Sequence, residues 1–215
     1  MHDYDQSYQN TDDYFGDVSP LLTTHLEAIR PGGRVLDIGV GQGRNALFLA
    51  ERGFQVTGID TSAVAIDQCR ADAKSRGLEL DLRHTDVFDH HTDEPYDAVL
   101  CFGLMQLLSR GDNASLVHRI YQWSHAGSAL YLTAWHVDDP SFDRISDTWE
   151  KVALHSFRNP DGEYRTYLAR NVIKNLFRPW RILHHQEDVG AAHRHGSGEE
   201  HQHGDIELVA VRRSD

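Results

Sequence analysis

A short, largely apolar run at residues 35–38, followed by three glycines at alternate positions, constrains this chain more than any other feature. The glycines are Gly39, Gly41 and Gly43, and a second apolar segment, residues 46–50, comes shortly after them. The pattern predicts a buried parallel strand, a tight turn and then a helix. Glycine lets the main chain bend sharply at such a turn, and it lets a ligand lie against bare backbone.

Asp37 and the glycine spacing together indicate which ligand suits this turn. The carboxylate stands two residues before Gly39, where it would repel a pyrophosphate but would attract an ammonium group. The spacing is G-x-G-x-G, whereas a dinucleotide-binding turn has G-x-G-x-x-G. S-adenosylmethionine (SAM) carries an ammonium group, a sulfonium and a ribose, and it has no phosphate. The turn therefore favours SAM over a nicotinamide dinucleotide.

A second acid supports a nucleoside-binding site. Asp60 ends another apolar run, residues 55–59, and lies 23 positions after Asp37. In doubly wound folds an acid about 20 residues beyond the glycine turn accepts hydrogen bonds from ribose hydroxyls. Each acid also has a plainer interpretation, because Asp37 would suit a turn cap and Asp60 would suit the cap of the next helix. Both acids at this spacing, after two strand-like runs, favour the nucleoside site.

Composition narrows the class of protein. The 215 residues and the 40% hydrophobic content predict one α/β domain with its own core. The net charge of −12 argues against nucleic-acid binding, and no apolar run approaches the roughly 20 residues of a membrane span. The polar N-terminus resembles neither a signal nor a transit peptide, and the two cysteines suggest a reducing compartment. We therefore expect a cytoplasmic protein that acts on a small molecule.

Alternating apolar runs and amphipathic stretches predict the fold. Strands are expected near 34–38, 55–59, 78–84, 96–102 and 129–134, and helices near 18–30, 43–52, 62–76 and 113–126. This alternation implies a Rossmann-like, doubly wound and mostly parallel sheet. Two later strands, 180–185 and 205–212, are joined by a Gly- and His-rich loop without a helix, so one of them should run antiparallel. A seven-stranded sheet with a C-terminal antiparallel hairpin is therefore predicted within one domain, 1–215.

Four segments fall outside this alternation of strands and helices. Residues 1–13 are polar and are expected to be flexible. Residues 136–162 carry prolines, aspartates and aromatics, and we predict an insertion over the active site, at the carboxyl ends of the strands. A helix is expected around 166–177, and residues 193–204 form the His-rich loop.

Several short motifs carry a resemblance to one enzyme family. They are Asp13-Tyr-Phe15, the glycine segment 36–45, Thr85-Asp86, Tyr96-Asp97 with residues 103–108, Gly162-Glu-Tyr-Arg165 and Glu187-Asp-Val-Gly-Ala-Ala-His-Arg194. On these motifs the chain resembles the class I SAM-dependent methyltransferases over roughly its first 135 residues. Along most of its length it resembles the narrower TehB-like group of tellurite-resistance methyltransferases. The segment that ends at Arg194 is the most specific of these motifs.

The resemblance implies SAM as the cofactor and a set of residues that contact it. Asp37 and the three glycines would bind the methionine end, and Asp60 would bridge the ribose hydroxyls. The full set is Tyr14, Phe15, Asp37, Gly39, Gly41, Gly43, Asp60, Thr61, Asp86, Val87, Cys101 and Phe102.

Some residues of this set have a structural interpretation as well. Asp86, which the resemblance places at the adenine amine, would equally suit a turn cap. Cys101 and Phe102 end the fourth predicted strand, at the rim where α/β sheets place ligands, but core packing would also explain both. Tyr14 and Phe15 would form an aromatic lid over the cofactor.

The resemblance also implies a small-molecule acceptor, with tellurite or selenite as the first candidate. The sulfonium already activates the methyl group, so the enzyme mainly aligns the nucleophile and excludes water. An oxyanion with a lone pair needs no general base, but it needs cationic donors. The predicted catalytic residues are therefore His193, Arg194 and Arg165, although Arg194 would also suit a solvated surface.

Departures from the family leave the acceptor open. Val40 stands where the family usually has cysteine, and the segments 136–161 and 196–204 are longer than expected. One alternative is a methyltransferase for a small thiol, amine or organic acid. Another is a non-catalytic module that binds SAM or a metal. A nicotinamide-dependent oxidoreductase fits less well, because the third glycine is misplaced.

The histidines near the C-terminus form a separate feature. Six of them lie within residues 184–203, and His193-x-His195 and His201-x-His203 resemble ligand pairs on one face of a strand. The loop has no nearby cysteine, lacks common zinc spacings and contains several glycines. We therefore expect a solvated loop with adventitious metal binding at most and no functional metal. A pH response is the other open interpretation.

Overall fold

A computed structural model of the chain describes residues 4–11, 13–194 and 200–214. Ten strands form two sheets within these ranges. The strands are β1 (Arg34–Ile38), β2 (Gln55–Asp60), β3 (Asp81–His84), β4 (Tyr96–Phe102), β5 (Ser124–Trp135), β6 (Glu150–Ala153), β7 (Ser156–Arg158), β8 (Tyr164–Thr166), β9 (Arg181–Val189) and β10 (Gly204–Val211). The helices are α1 (Tyr4–Gln9), α2 (Pro20–Thr24), α3 (Arg44–Ala50), α4 (Ala63–Ser75), α5 (Arg110–Gln122), α6 (Phe142–Thr148) and α7 (Val172–Leu176).

The larger sheet has seven strands in the order β3-β2-β1-β4-β5-β10-β9. The pairs from β3 to β5 are parallel, and β10 runs antiparallel to both of its neighbours. A chain that returns without a helix can only form a hairpin, which explains the reversed strand. The topology confirms the doubly wound, mostly parallel sheet with an antiparallel C-terminal hairpin.

The core lies on both faces of this sheet. Leu36 and Ile38 of β1 pack in one apolar cluster with α5 and the last strands, and Val35 packs in a second cluster with α2 and α3. A sheet that is covered on both faces has nearly continuous apolar strands. Asp37 is the exception in β1, because its carboxylate is buried among these strands with only 3% of the residue exposed.

Three predicted helices have different limits in the structure. The expected helix at 18–30 is divided into α2 and a short 3-10 turn at Leu26–Ala28. The helix expected at 113–126 begins three residues earlier, because the Ser109 hydroxyl accepts the Asp112 N–H (3.1 Å) and caps it. The helix expected at 166–177 begins only at Val172, because residues 164–166 pair as strand β8.

The N-terminal segment is more ordered than its composition suggests. Residues 1–13 were expected to be flexible, whereas residues 4–9 form α1 and Tyr8 is buried. Aromatic packing is the reason, since the Tyr4 and Tyr8 rings stack with their centroids 5.9 Å apart. Residues 1–3 and 12 lie outside the described ranges.

The segment 136–162 contains secondary structure that the sequence did not predict. It holds α6, β6 and β7, and the two strands join β8 in a small antiparallel sheet. Ile145, Phe157 and Tyr167 form a separate core beneath it. Strands of three or four residues are too short to leave a clear alternating pattern. The position of this segment over the active site stays a prediction.

No helix in the described part of the chain combines the length and the apolar character needed to cross a bilayer.

Candidate active site

A cavity of about 1350 Å³ opens at the carboxyl ends of β1, β4 and β5. Three parts of the chain form its walls: the glycine turn after β1, the N-terminal aromatic segment, and the β9–β10 hairpin with β8. Predicted site residues that line it are Tyr14, Phe15, Asp37, Gly39, Gly41, Phe102, Arg165, His193 and Arg194. Ligands in open α/β sheets bind at this edge, so the cavity is the candidate active site.

The glycine turn exposes its backbone to the cavity. Gly39, Gly41 and Gly43 have φ values of 72°, 53° and 91°, which lie in the left-handed region that favours glycine. The N–H groups of Gly39 and Val40 both donate to the Ile59 carbonyl, at 2.9 and 3.0 Å, and tie the turn to β2. Apart from the chain neighbours of Gly39, no described residue has an atom within 4 Å of the position that a Gly39 Cβ would take, so this side of the turn is open.

Gly43 serves the packing of two helices rather than the cavity. A Cβ at this position would lie 2.3 Å from the Cys69 sulfur of α4, closer than real contacts allow. Gly43 stands at the N-terminus of α3, and it does not line the cavity. In this structure Gly43 lets α3 and α4 approach, and its contact with the cofactor stays a prediction.

Burial sets the properties of Asp37. It raises the pKa of this carboxyl to about 7, and the Arg44 guanidinium opposes the shift. Arg44 itself donates hydrogen bonds to the carbonyls of Phe15 (2.9 Å) and Asp17 (3.2 Å). A buried carboxylate is stabilised by a cation beside it. Asp37 is therefore suited to pair with an ammonium group that enters the cavity.

Asp60 joins the end of β2 to the glycine turn. Its Oδ2 accepts the Gly41 N–H and its Oδ1 accepts the Ser62 N–H, both at 2.8 Å. Burial raises the pKa of Asp60, while these main-chain N–H groups oppose the rise. A carboxylate offers about four acceptor positions, so these main-chain N–H groups, with that of Thr61, need not fill them all. Asp60 does not line the open cavity in this structure.

Helix α1 lies over this part of the site. The Tyr8 hydroxyl is 3.1 Å from the position that a Gly41 Cβ would take. Burial raises the pKa of Tyr8, and the charge of Asp60 adds to that rise, which indicates that the two side chains are near one another. The Tyr8 carbonyl accepts a hydrogen bond from Gln68 of α4 at 2.9 Å. The Tyr8 ring therefore lies beside Gly41, whose N–H donates to Asp60.

The aromatic segment is larger than the two residues predicted from the sequence. Tyr14 and Phe15 meet edge to face with centroids 4.9 Å apart, and Tyr8 meets Tyr14 in the same way at 5.9 Å. Gln42 of the glycine turn holds the segment: it accepts the Tyr14 N–H (2.8 Å) and donates to the Thr11 carbonyl (2.6 Å). Sequence reasoning missed Gln42 and Tyr8, although the spacing of four between Tyr4 and Tyr8 was a signal for helical stacking.

Arg165 belongs to β8, and its side chain also lines the cavity. Its guanidinium lies 5.9 Å from the Trp135 ring centroid and 5.6 Å from that of Trp149, and it donates to the Tyr164 carbonyl at 2.9 Å. Cation–π contacts of this kind hold the charged group in one place. His193 and the exposed Arg194 follow β9 and line the same cavity. The three predicted catalytic residues therefore share one cavity.

Gln106 is a lining residue that the sequence analysis did not select. Its side chain is buried, and its amide oxygen has no hydrogen-bond partner within the described ranges. A buried acceptor without a partner is costly, so such a group is a candidate contact for a bound ligand. A glutamine within an apolar segment was the only signal in the sequence.

Besides Gly43 and Asp60, four predicted cofactor residues lie outside the cavity, namely Thr61, Asp86, Val87 and Cys101. Asp86 accepts the Phe88 N–H at 2.7 Å. This hydrogen bond is the turn cap that was the alternative interpretation of Asp86. Val87 and Cys101 belong to the core, and burial raises the pKa of Cys101 to about 12. Thr61 is exposed, and its carbonyl accepts from His84. In this structure packing and turn formation account for these four residues.

Comparison with known proteins agrees with the geometry. The family described as "Methyltransferase domain" matches residues 35–127. The probable S-adenosyl-L-methionine-dependent methyltransferase TehB of Haemophilus influenzae (strain 10810) is 23% identical over 87% of this chain and 61% of its own length. The crystal structure of TehB from Haemophilus influenzae superposes with a TM-score of 0.73 at 20% identity, covering 98% of this chain and 66% of that one. The chain is thus similar to TehB along most of its length, and residues 35–127 match the methyltransferase domain.

These matches agree with the predicted family and with SAM as the cofactor. A methyltransferase from Burkholderia thailandensis, solved with 1,6-didemethyltoxoflavin and S-adenosylhomocysteine, shares the fold with a TM-score of 0.63. It is 16% identical, and the match covers 90% of this chain and 76% of that one. The present chain spans about three-fifths of the length of the TehB relative.

The residues at the glycine turn fit the methionine end of SAM. The open side of Gly39 leaves room for a ligand, and the buried Asp37 carboxylate suits its ammonium group. Asp60 does not line the open cavity, and the Tyr8 ring lies beside Gly41, to which Asp60 is hydrogen-bonded.

Proposed function

We propose that this chain transfers the methyl group of SAM to a small-molecule acceptor, and that a chalcogen oxyanion such as tellurite or selenite is the first candidate. One observation carries the proposal: a single cavity is lined both by Asp37 and Gly39 and by Arg165, His193 and Arg194. We call the first group the cofactor end and the second group the acceptor end. A cofactor end and an acceptor end within one cavity are what direct transfer between two ligands requires.

The residues of the chain would divide the work of binding and alignment. Asp37 would pair with the ammonium group, and Asp60 would accept the ribose hydroxyls. Tyr14 and Phe15 would exclude water. When bound, SAM supplies a methyl group that its sulfonium has already activated.

The acceptor end would orient an oxyanion without removing a proton. Arg165 and Arg194 offer forked N–H donors to its oxygens. The chalcogen lone pair forms the new bond to carbon, while the carbon–sulfur bond breaks and its electron pair returns to sulfur. The products are the methylated oxyanion and S-adenosylhomocysteine, and no general base is needed.

A second candidate acceptor is a small amine, and the charge of the cavity favours it. Glu200, Asp205 and Glu207 line the same end as Arg165. Burial raises the pKa of Asp205, while the nearby His203 and His193 oppose the rise. An amine that carries a proton at neutral pH needs a base, and a carboxylate with a raised pKa suits that role.

A product panel separates these candidates. The protein is incubated with isotope-labelled SAM and tellurite, selenite, a thiol, an amine or an organic acid, and the products are identified by mass spectrometry. A labelled chalcogen product formed faster than any other supports the first candidate. A labelled amine supports the second. If calorimetry detects no binding at high-micromolar SAM to the folded protein, the proposal as a whole fails.

Two variants test the division of the cavity. Asp60→Ala should weaken SAM binding by about 10–100-fold, because a charged hydrogen-bond acceptor worth roughly 1.5–3 kcal/mol is lost. Arg194→Ala should slow turnover and leave the SAM dissociation constant unchanged. Equal loss of SAM affinity in both variants would contradict the role given to Arg194.

A further inference from the structure

Three histidines that line the cavity lie together in the hairpin that extends β9 and β10. The ligand atoms of His193, His201 and His203 all lie within 4.8 Å of one another. An antiparallel bridge fixes their spacing, since the His193 N–H donates to the His201 carbonyl (2.8 Å) and the reverse bond is 2.9 Å. His203 is two residues beyond His201, so extended chain directs both side chains to one face.

The hydrogen bonds of two of these rings define their tautomers. The Nδ1 of His203 lies 3.3 Å from the Asp139 carboxylate, and the Nδ1 of His193 lies 3.1 Å from the Ala191 carbonyl. A carbonyl and a carboxylate are acceptors, so each Nδ1 carries the proton. The lone pair of each ring is therefore on Nε2. Metal-binding histidines have this arrangement, in which the second ring nitrogen donates to a carboxylate or a carbonyl.

Asp139 is itself held in place as an outer partner. Its side chain is buried, and it accepts the N–H groups of Ser141 (2.7 Å) and Gly204 (2.9 Å). The ring of His203 also stacks on Trp135, with centroids 4.2 Å apart and an interplanar angle of 24°. The imidazole is thus positioned by the fold before any ion binds.

The charges around the cluster favour a cation. Glu200, Asp205 and Glu207 line this end of the cavity together with the three histidines. These carboxylates attract cations, and a divalent ion among them would reduce their negative potential. Neutral imidazoles are preferred ligands of zinc, nickel and copper.

We propose that His193, His201 and His203 bind one divalent transition-metal ion, which we represent by Zn²⁺. Three histidine ligands leave at least one coordination position for water or a substrate atom, as in catalytic zinc sites. Because the cluster lines the cavity, that position would take an oxygen or sulfur atom of the acceptor. This last step rests on the proposed function, whereas the metal site itself does not.

The sequence led to the opposite expectation, because the glycines indicated a flexible loop. The bridge between His193 and His201 brings together histidines that are eight residues apart. His195, which the sequence paired with His193, lies outside the described residues and has no part in the proposed site.

The experiment measures Zn²⁺ binding by the full chain in the absence of SAM. The protein is stripped with a chelator and then titrated with Zn²⁺ against a competing indicator dye, and the bound metal is counted by mass spectrometry. We expect one equivalent. His201→Gln should weaken Zn²⁺ binding by about 100-fold or more. The outer-partner variant Asp139→Asn should weaken it less, by roughly 10–100-fold.

His118→Gln is the matched control, because His118 is an exposed histidine of α5 outside the cavity. Its Zn²⁺ affinity should equal that of the unaltered protein. Substitution with Co²⁺ should give visible absorption bands of a four- or five-coordinate ion, and His201→Gln should abolish them. Circular dichroism shows whether each variant is folded, and His201→Gln remains a sufficient test if Asp139→Asn does not fold.

Equal Zn²⁺ affinity in the His201 and His118 variants would overturn the metal site. Binding of several Zn²⁺ ions per chain with similar affinities would overturn it as well. Calorimetry with SAM on the metal-free protein keeps the two proposals apart. SAM binding without stoichiometric Zn²⁺ would refute only the metal site. Stoichiometric Zn²⁺ without SAM binding would refute only the methyl transfer.

Discussion

At the cofactor end of the cavity, Asp37, Gly39 and Gly41 come from five consecutive residues, at the end of β1 and in the turn that follows it. The acceptor end, in contrast, combines β8 with the β9–β10 hairpin. The first end is a local structure, so its chemistry follows from a single motif. The second depends on pairing between distant segments, such as the bridge between His193 and His201. A local motif therefore determines which cofactor is bound, and tertiary contacts determine which acceptor is bound.

The largest effect is expected at the buried acid of the cofactor end. Asp37→Asn removes the partner of the SAM ammonium group and should weaken SAM binding by about 2–5 kcal/mol, as for other buried charge pairs. The fold should not lose stability, because the amide avoids the cost of a buried charge. Calorimetry and thermal unfolding measure the two quantities. A change of less than threefold in SAM affinity would remove Asp37 from the cofactor end.

Gly43→Ala tests whether one residue of the motif is structural. The side chain would meet the Cys69 sulfur at a backbone φ of 91°, so we expect a loss of about 2–4 kcal/mol in the free energy of unfolding. Gly53→Ala is the control, because Gly53 has a similar φ of 81° with no atom within 4 Å of the new Cβ. It should lose only about 1 kcal/mol. Equal losses in urea denaturation would show that backbone strain alone is responsible.

Arg165→Met tests the acceptor end while keeping much of the packing against Trp135 and Trp149. With an oxyanion acceptor, kcat/KM should fall about 10–100-fold, because charge-assisted hydrogen bonds of roughly 1.5–3 kcal/mol are lost. SAM affinity should stay within twofold, and Arg165→Lys should recover part of the activity. An unchanged rate with tellurite, or a higher rate with an amine, would favour the second candidate acceptor.

The smallest expected effect is a pH dependence at the cofactor end. Because the pKa of Asp37 is raised to about 7 in the folded chain, the carboxylate that pairs with SAM is lost as pH falls below that value. SAM affinity should therefore weaken by up to about tenfold between pH 7 and pH 6. Calorimetry at several pH values measures this change, and Asp37→Asn should show none of it.

The same group has the opposite effect on the protein without SAM. Its protonated form is favoured by burial, so the stability that it contributes is fully present below the unfolded pKa of 3.8. That stability is lost as pH rises from there through about 7. The pH dependence of the unfolding temperature should therefore differ between the ligand-free protein and Asp37→Asn across this range. The same pH dependence in both proteins would contradict the raised pKa of Asp37.

The motif at residues 35–43 supported a correct inference about the family because strand, turn and helix are contiguous there. Asp86 and Cys101 were less predictable, since a turn cap and a core thiol have the same local sequence as a ligand contact. The helix of residues 4–9 was missed because its order comes from rings that pack on other segments, such as Tyr8 beside Gly41. A polar segment carries no local signal of such contacts.

By itself, the sequence determined the doubly wound sheet, the reversed last strand and the SAM-type glycine turn. Periodicity and glycine spacing express these features through interactions between near neighbours in the chain. Only the tertiary structure decided that Tyr8 lies beside Gly41, that two tryptophans hold Arg165, and that three histidines converge beside Asp139. Those contacts join residues far apart in the chain, and their free energy depends on the packing of whole elements.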